Sequence, residues 1–202
     1  MNLNTNKKNA IGRPKTFDKD SVIKLAMLYF WEHGYNNSSL DNLLLTMGIK
    51  KSSFYRTFTS KEELFSACLA FYREDILYEI GQLNTELGAK QAMLMLTSGT
   101  IDELRSSGKV KGCLLINSGK ECYNKHNDLS IQIAIEFNFM QNVFIDLIES
   151  AQQSGEISNK KSPKIIAGRY MNTLNGLVAS IQAGASEELI DDIVESLREM
   201  LN

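Results

Sequence analysis

With only two prolines in 202 residues, nearly the whole chain is free to be helical, and the length suffices for one or two domains with buried cores. Its net charge of −2 hides an asymmetry, because positions 1–61 carry ten Lys/Arg against four Asp/Glu while the remainder is net −8. Three cysteines without paired spacing argue against a disulfide scaffold and for a reducing cytoplasm. The polar start MNLNTNKKN does not read as a secretory signal, and no run approaches the ~18 uninterrupted apolar residues of a membrane span.

Residues 1–15 form a basic, polar arm. Its Gly12-Arg13-Pro14-Lys15 either lies in an A·T-rich minor groove, where negative potential concentrates, or serves as a solubilising tail. A first helix is expected from Asp18 to Gly34, with Val22, Leu25, Ala26, Tyr29 and Phe30 facing inward and Trp31 and Tyr35 completing a three-helix core. His33 near its end suits the helix dipole better than catalysis.

The next two helices are short. Ser38 or Ser39 caps the first, which buries Leu40, Leu43, Leu44 and Met47 at three- and four-residue spacing. Gly48 supplies the turn and Ile49 plugs the gap. The second helix runs from about Lys50 to Phe58, anchored by Phe54 and Phe58, and shows Lys51, Ser52, Tyr55 and Arg56 on its other face. This is a helix-turn-helix whose second helix carries donors for a DNA major groove. The same geometry also occurs as plain core packing, but the +6 balance of positions 1–61 favours phosphate binding.

The run GIKKSSFYRTFTSKEELFSACL resembles the recognition helix and following helix of the tetracycline-repressor (TetR) family of bacterial transcription regulators. The likeness rests on the Gly turn, a small residue before the Phe54-Tyr55 pair, Phe58, and Ser60-Lys61-Glu62 opening a long helix. Phe17 to Gly34-Tyr35 resembles the family's first helix, so the match covers roughly 13–70; beyond that only length and helix count agree. The resemblance implies an all-α chain: a helix-turn-helix domain over 16–60 and a helical effector-binding and dimerisation domain over 61–202. It implies that Lys51, Ser52 and Tyr55 face bases and groove wall, and that Thr57 and Lys61 contact phosphates, with Ser39 a candidate third contact. Arg56 departs from the aromatic or neutral residue often found there and leaves a further base contact open. Lys50 and the arm residues Arg13 and Lys15 join the candidate DNA set.

From Ser60 a lever-like helix continues toward Gln82, and in the family this helix carries ligand-induced motion to paired DNA heads. Further amphipathic helices are expected over about 88–106, 114–123, 128–154, 163–184 and 186–201, separated by Gly81, Gly88, Gly108, Gly112, Gly155 and Pro163. In the 163–184 helix, Gly168, Asn172, Gly176, Ala179 and Ala183 form a small-residue stripe opposite Ile166, Tyr170, Leu174, Leu177 and Ile181. With Ile190, Val194 and Leu197 of the last helix the stripe suggests a homodimer interface; burial within one chain is the other reading.

Phe71, Tyr72, Met93, Met95, Asn117, Phe137, Met140, Tyr170 and Asn175 mix aromatic, sulfur and amide groups that suit an apolar or amphipathic small-molecule effector. Singly, each is also an ordinary core residue. Cys113, between Lys111-Gly112 and Leu114-Leu115, sits at a helix start beside cations that favour a thiolate. Its Gly-Cys-Leu setting resembles a branch of the family in which some members sense electrophiles or oxidants; a small buried apolar residue is the other reading. Cys122 is a candidate resolving thiol.

His33 and His126 lack metal-ligand spacing, and no HExxH, P-loop, GxSxG or GxGxxG signature occurs, so neither an enzyme nor a cofactor or metal is expected. The reading is a cytoplasmic, homodimeric, effector-responsive regulator of double-stranded operator DNA, a repressor. A helical protein-interaction adaptor is the alternative, and it leaves the basic head unexplained.

Overall fold

A computed structural model describes residues 18–202; the arm 1–15, with Arg13 and Lys15, and Phe17 lie outside the described residues. Among the described residues there are nine helices and no strand: α1 Lys19–His33, α2 Leu40–Met47, α3 Lys51–Thr57, α4 Lys61–Leu87, α5 Ala89–Ser107, α6 Leu114–Cys122, α7 Asn127–Ser154, α8 Pro163–Gln182 and α9 Glu187–Met200.

Several of these helices begin at a local signal. Asp18, Ser39, Ser60 and Ser186 cap α1, α2, α4 and α9, each side chain accepting the backbone N–H three residues on. Gly48 ends α2 at φ +64°, left-handed backbone that L side chains rarely adopt, and its N–H returns to the Leu44 and Leu45 carbonyls. That turn sets α3 against α2. α4 runs past Gln82 to Leu87, because Gly81 sits on an exposed side of the helix and lowers propensity without breaking the hydrogen-bond ladder.

The head packs α1 on α2 and α4. The buried stripe of α1 is Val22, Ile23, Ala26, Met27 and Phe30, whereas Leu25 is 42% exposed and Tyr29 half-buried. The expected face was thus set partly off the true one: contact with two helices centres the stripe between the 22/26/30 and 23/27 rows, and Leu25 falls outside it. Tyr35 fills the core against Phe30 and Phe65, with ring centroids 5.9 and 4.9 Å away. Trp31 does not join this core. Its indole leaves the head, meets Tyr72 of α4 edge-on at 5.2 Å, and donates to the Gly112 carbonyl at 2.9 Å.

In the body, α4 packs on α5, α6 and α7, while α7 also contacts α5, α6 and α8, and α9 closes on α8. By length and mean hydropathy α7 is the one helix among the described residues that is able to cross a membrane. Within this fold its Glu136 is buried and held by Arg73 at 3.1 Å, and Leu129, Ile133, Met140, Phe144 and Ile148 pack in the core. Ile190 and Leu197 of α9 face inward, Ile190 beside Ile101 and Leu177, and Val194 is half-buried there. Ile190 and Leu197 are therefore corrected from candidate dimer contacts to intrachain packing, since α5 and α8 of the same chain already bury them. The α8 stripe differs: Asn172, Gly176, Ala179 and Ala183 are exposed and Gly168 is half-buried.

Candidate DNA-reading surface and effector cavity

α3 is amphipathic in a simple way. Phe54 and Phe58 are buried with ring centroids 5.6 Å apart and planes tilted by 40°, which fixes the helix against the head core. Lys50, Lys51, Ser52, Tyr55 and Arg56 are left exposed, and Tyr55, 51% exposed, is braced edge-on by Phe54. Arg56 also donates to the Ser53 hydroxyl at 3.2 Å, which orients its guanidinium along the helix. Ser39 is exposed at the start of α2 with its oxygen accepting the Asn42 N–H, so its hydroxyl proton remains for another acceptor. Thr57 is half-buried and donates to the Ser53 carbonyl.

Lys61 departs from its expected role. Its ammonium donates to the Tyr35 and Ser38 carbonyls at 3.0 and 3.1 Å, turned into the α1–α2 connection. The reason is local: Ser38 is fully buried, and its carbonyl lies within reach of a cation at the start of α4. Beside it, the Tyr35 hydroxyl donates to Glu62, and burial together with that carboxylate pushes the Tyr35 phenol well above its usual range.

The body contains a cavity of about 440 Å³ between α1, α4, α5, α7 and α8, with the loop before α6 at its side. Of the expected residues, Tyr72, Met95, Cys113, Phe137, Met140 and Asn175 line it. Phe71, Met93, Asn117 and Tyr170 do not. Phe71 packs half-buried on the core, and Met93 is fully buried. Asn117 donates to the Lys111 carbonyl at 2.7 Å, which staples the loop before α6. The Tyr170 hydroxyl donates to the Met93 carbonyl at 2.6 Å, and burial pushes this phenol up to about 12. These four are corrected to structural residues, because period-3.6 patterning marks an inward face without saying whether packing closes over it.

The wall also includes residues that sequence reasoning missed. Trp31 reaches it from the head, and Phe144, Met171 and Leu174 add apolar surface. Glu79, Glu103 and Lys111 bring charge to a lining that is otherwise mostly apolar. Trp31 continues the inward 23/27 row of α1, and nothing in the sequence shows that its ring leaves the head for the cavity. Tyr72, buried beside Cys113, has its phenol held well above the usual range, chiefly by burial. Cys113 is half-buried at the start of α6, whereas Cys122 is fully buried at its end and burial raises its thiol. Nine residues of helix place the two about 13 Å apart, beyond the about 4.4–6.8 Å a disulfide spans between Cα atoms, so Cys122 is not a resolving partner within the chain.

Residues 22–68 match the profile described as "Bacterial regulatory proteins, tetR family". Over 188 residues the chain is 28% identical to the HTH-type transcriptional repressor ComR of Escherichia coli (strain K12), covering 92% of this chain and 90% of that protein. A cysteine variant of the TetR family transcriptional regulator CifR, solved with 26-base-pair double-strand operator DNA, superposes with a TM-score of 0.76 at 25% identity, covering 93% of this chain and 98% of that one. Reduced NemR of E. coli shares the fold at a TM-score of 0.78 and 16% identity, covering 91% and 96% of the two chains. Helix-turn-helix geometry, an exposed basic α3 and likeness along the whole body agree: residues 22–68 are those of the tetR family of bacterial regulatory proteins, and the chain is a DNA-binding transcription regulator, not an enzyme.

Proposed function

We propose that the protein is a homodimeric repressor of the bacterial cytoplasm, released from its operator by an apolar or amphipathic small molecule bound in the body cavity. The observation that carries this reading is the position of α4: its first turns hold the head that bears α3, and Tyr72, Ile76 and Glu79 further along it line the cavity. One rigid helix thus touches both sites. Lys50, Lys51, Ser52, Tyr55 and Arg56 read the groove, and Ser39 and Thr57 meet phosphates, with Arg13 and Lys15 of the arm adding to them. We place the boundary between head and body at residues 60–61 and pair two copies through the small stripe of α8.

A second route to release is favoured by one observation, that the Cys113 thiol lines the same cavity. An electrophile admitted there would add covalently to the thiol and act as a retained effector.

The test is fluorescence anisotropy on DNA from the protein's own upstream region across a salt series. Tight, sequence-selective binding with a steep salt slope supports the reading; affinity no greater than for random DNA at every salt concentration counts against it.

A further inference from the structure

α6 is hydrogen-bonded to the DNA-reading head at both of its ends. At the first, the Trp31 indole N–H of α1 donates to the Gly112 carbonyl at 2.9 Å, two residues before the helix begins. At the second, the Glu121 carboxylate accepts the Asn36 N–H at 3.1 Å, and His126 just beyond α6 pairs with the Asn36 side chain at 2.9 Å. The contact at that end is close: Gly34, at φ +79°, lies so near the Glu121 carboxylate that a Cβ there would make the carboxylate shift away. Asn36 stands in the turn leading to Ser39, the cap of α2, so Glu121 grips the segment that positions the helix-turn-helix.

The same Trp31 ring is part of the cavity wall. It is held between Tyr72, edge-on at 5.2 Å, and the Lys111 ammonium, 5.6 Å from its centroid. Lys111, Gly112 and Cys113, which lead into α6, line the cavity with it. A molecule filling the cavity therefore touches a side chain of the head itself and the loop that the side chain holds.

We propose that Trp31 and α6 form a direct coupling between cavity and head, in parallel with α4. An occupant displaces the indole, the Trp31–Gly112 hydrogen bond is lost, and α6 shifts as a strut of about 13 Å whose far end carries the Asn36 turn with it. Trp31 and Glu121 are positioning residues in this scheme; neither touches DNA. The inference rests on the cavity being the effector site.

The experiment uses a built-in occupant. Gly99 of α5 lines the cavity, and nothing lies within 4 Å of the place its Cβ would take, so Gly99→Phe fills the space with no ligand required. Operator affinity is measured for Gly99→Phe, Trp31→Phe, Glu121→Ala and the Trp31→Phe/Gly99→Phe pair, with thermal melts to show that each is folded. Trp31 is the only tryptophan, so its emission reports the indole directly. The expected result is that each single change weakens operator binding about tenfold, that Gly99→Phe shifts the emission, and that the pair binds no worse than either alone. Operator binding by Trp31→Phe and Glu121→Ala at wild-type affinity overturns the coupling, as do effects that multiply in the pair; both leave the cavity reading intact if Gly99→Phe still weakens binding. A Gly99→Phe protein that shows the emission shift and binds operator normally overturns the cavity reading and the coupling together. Glu121 is half-buried at the far end of α6 and does not line the cavity, so Glu121→Ala keeps the test decisive if Trp31→Phe is unstable.

Discussion

The ammonium of Lys61 lies 4.2 Å from the centroid of the Tyr35 ring while donating to the Tyr35 carbonyl oxygen at 3.0 Å. One cation thereby ties the start of α4 to the connection between α1 and α2. Replacing it with Met keeps the stem and removes the donors. Lys61→Met is expected to cost about 1–3 kcal/mol of stability, read by urea unfolding, while the slope of log affinity against log salt stays unchanged. A slope lowered by about one unit instead would make Lys61 a phosphate ligand.

Tyr55 is exposed and contributes little to packing beyond its edge contact with Phe54. Tyr55→Ala is expected to leave stability within about 0.5 kcal/mol of wild type and to weaken operator binding at least about tenfold. Unchanged folding with unchanged operator affinity would remove α3 as the reading helix.

Gly176 sits on the exposed small stripe of α8, and beyond its own stretch of helix backbone nothing lies within 4 Å of the place a Cβ would take. Gly176→Glu should therefore fold normally. Light scattering is expected to show a dimer for the wild type and a monomer for the variant, with operator affinity falling in step. A variant that remains dimeric places the interface elsewhere.

Cys68 and Cys122 are fully buried, and Cys113 opens onto the cavity. Treating the folded protein with N-ethylmaleimide should add one adduct per chain by intact mass, and Cys113→Ser should abolish it. Labelling at Cys122, or a Cys113–Cys122 disulfide in oxidised protein, contradicts the placement of the two thiols at opposite ends of α6.

Glu62 and Glu63 both have carboxyls held below the ordinary value of 4.5. For Glu62 the main cause is its own backbone N–H, followed by the Tyr35 hydroxyl; for Glu63 it is the Thr59 hydroxyl and then the Thr59 N–H. A depressed carboxyl favours the folded state above its unfolded value, and that contribution is lost as pH falls through the folded value. Melting temperature should fall as pH drops below about 4.5, and less steeply for a Glu62→Gln/Glu63→Gln protein. Equal slopes for the two proteins would show that neither carboxylate supports the head.

Local chemistry alone was enough for much of the fold. The Ser39 cap, the Gly48 turn and the Phe54/Phe58 spacing depend on neighbours within about one helical turn, so α2 and α3 follow from residue order. Exposure of Lys51, Tyr55 and Arg56 follows as well, because once two aromatics bury one face of a seven-residue helix the other face has nowhere else to go. Tertiary structure decided everything that depends on which inward-facing side chains meet. Met93 and Tyr170 face inward as the pattern requires, yet packing closes over them, while Tyr72 and Met140 border a space. Lys61 shows no sequence sign of turning inward, because its acceptors belong to a connection more than twenty residues earlier. Periodicity gives the direction of a side chain about its own helix axis. What it meets there is set by how separate helices settle against one another, and that is how Trp31, a residue of the head, came to form part of the cavity wall.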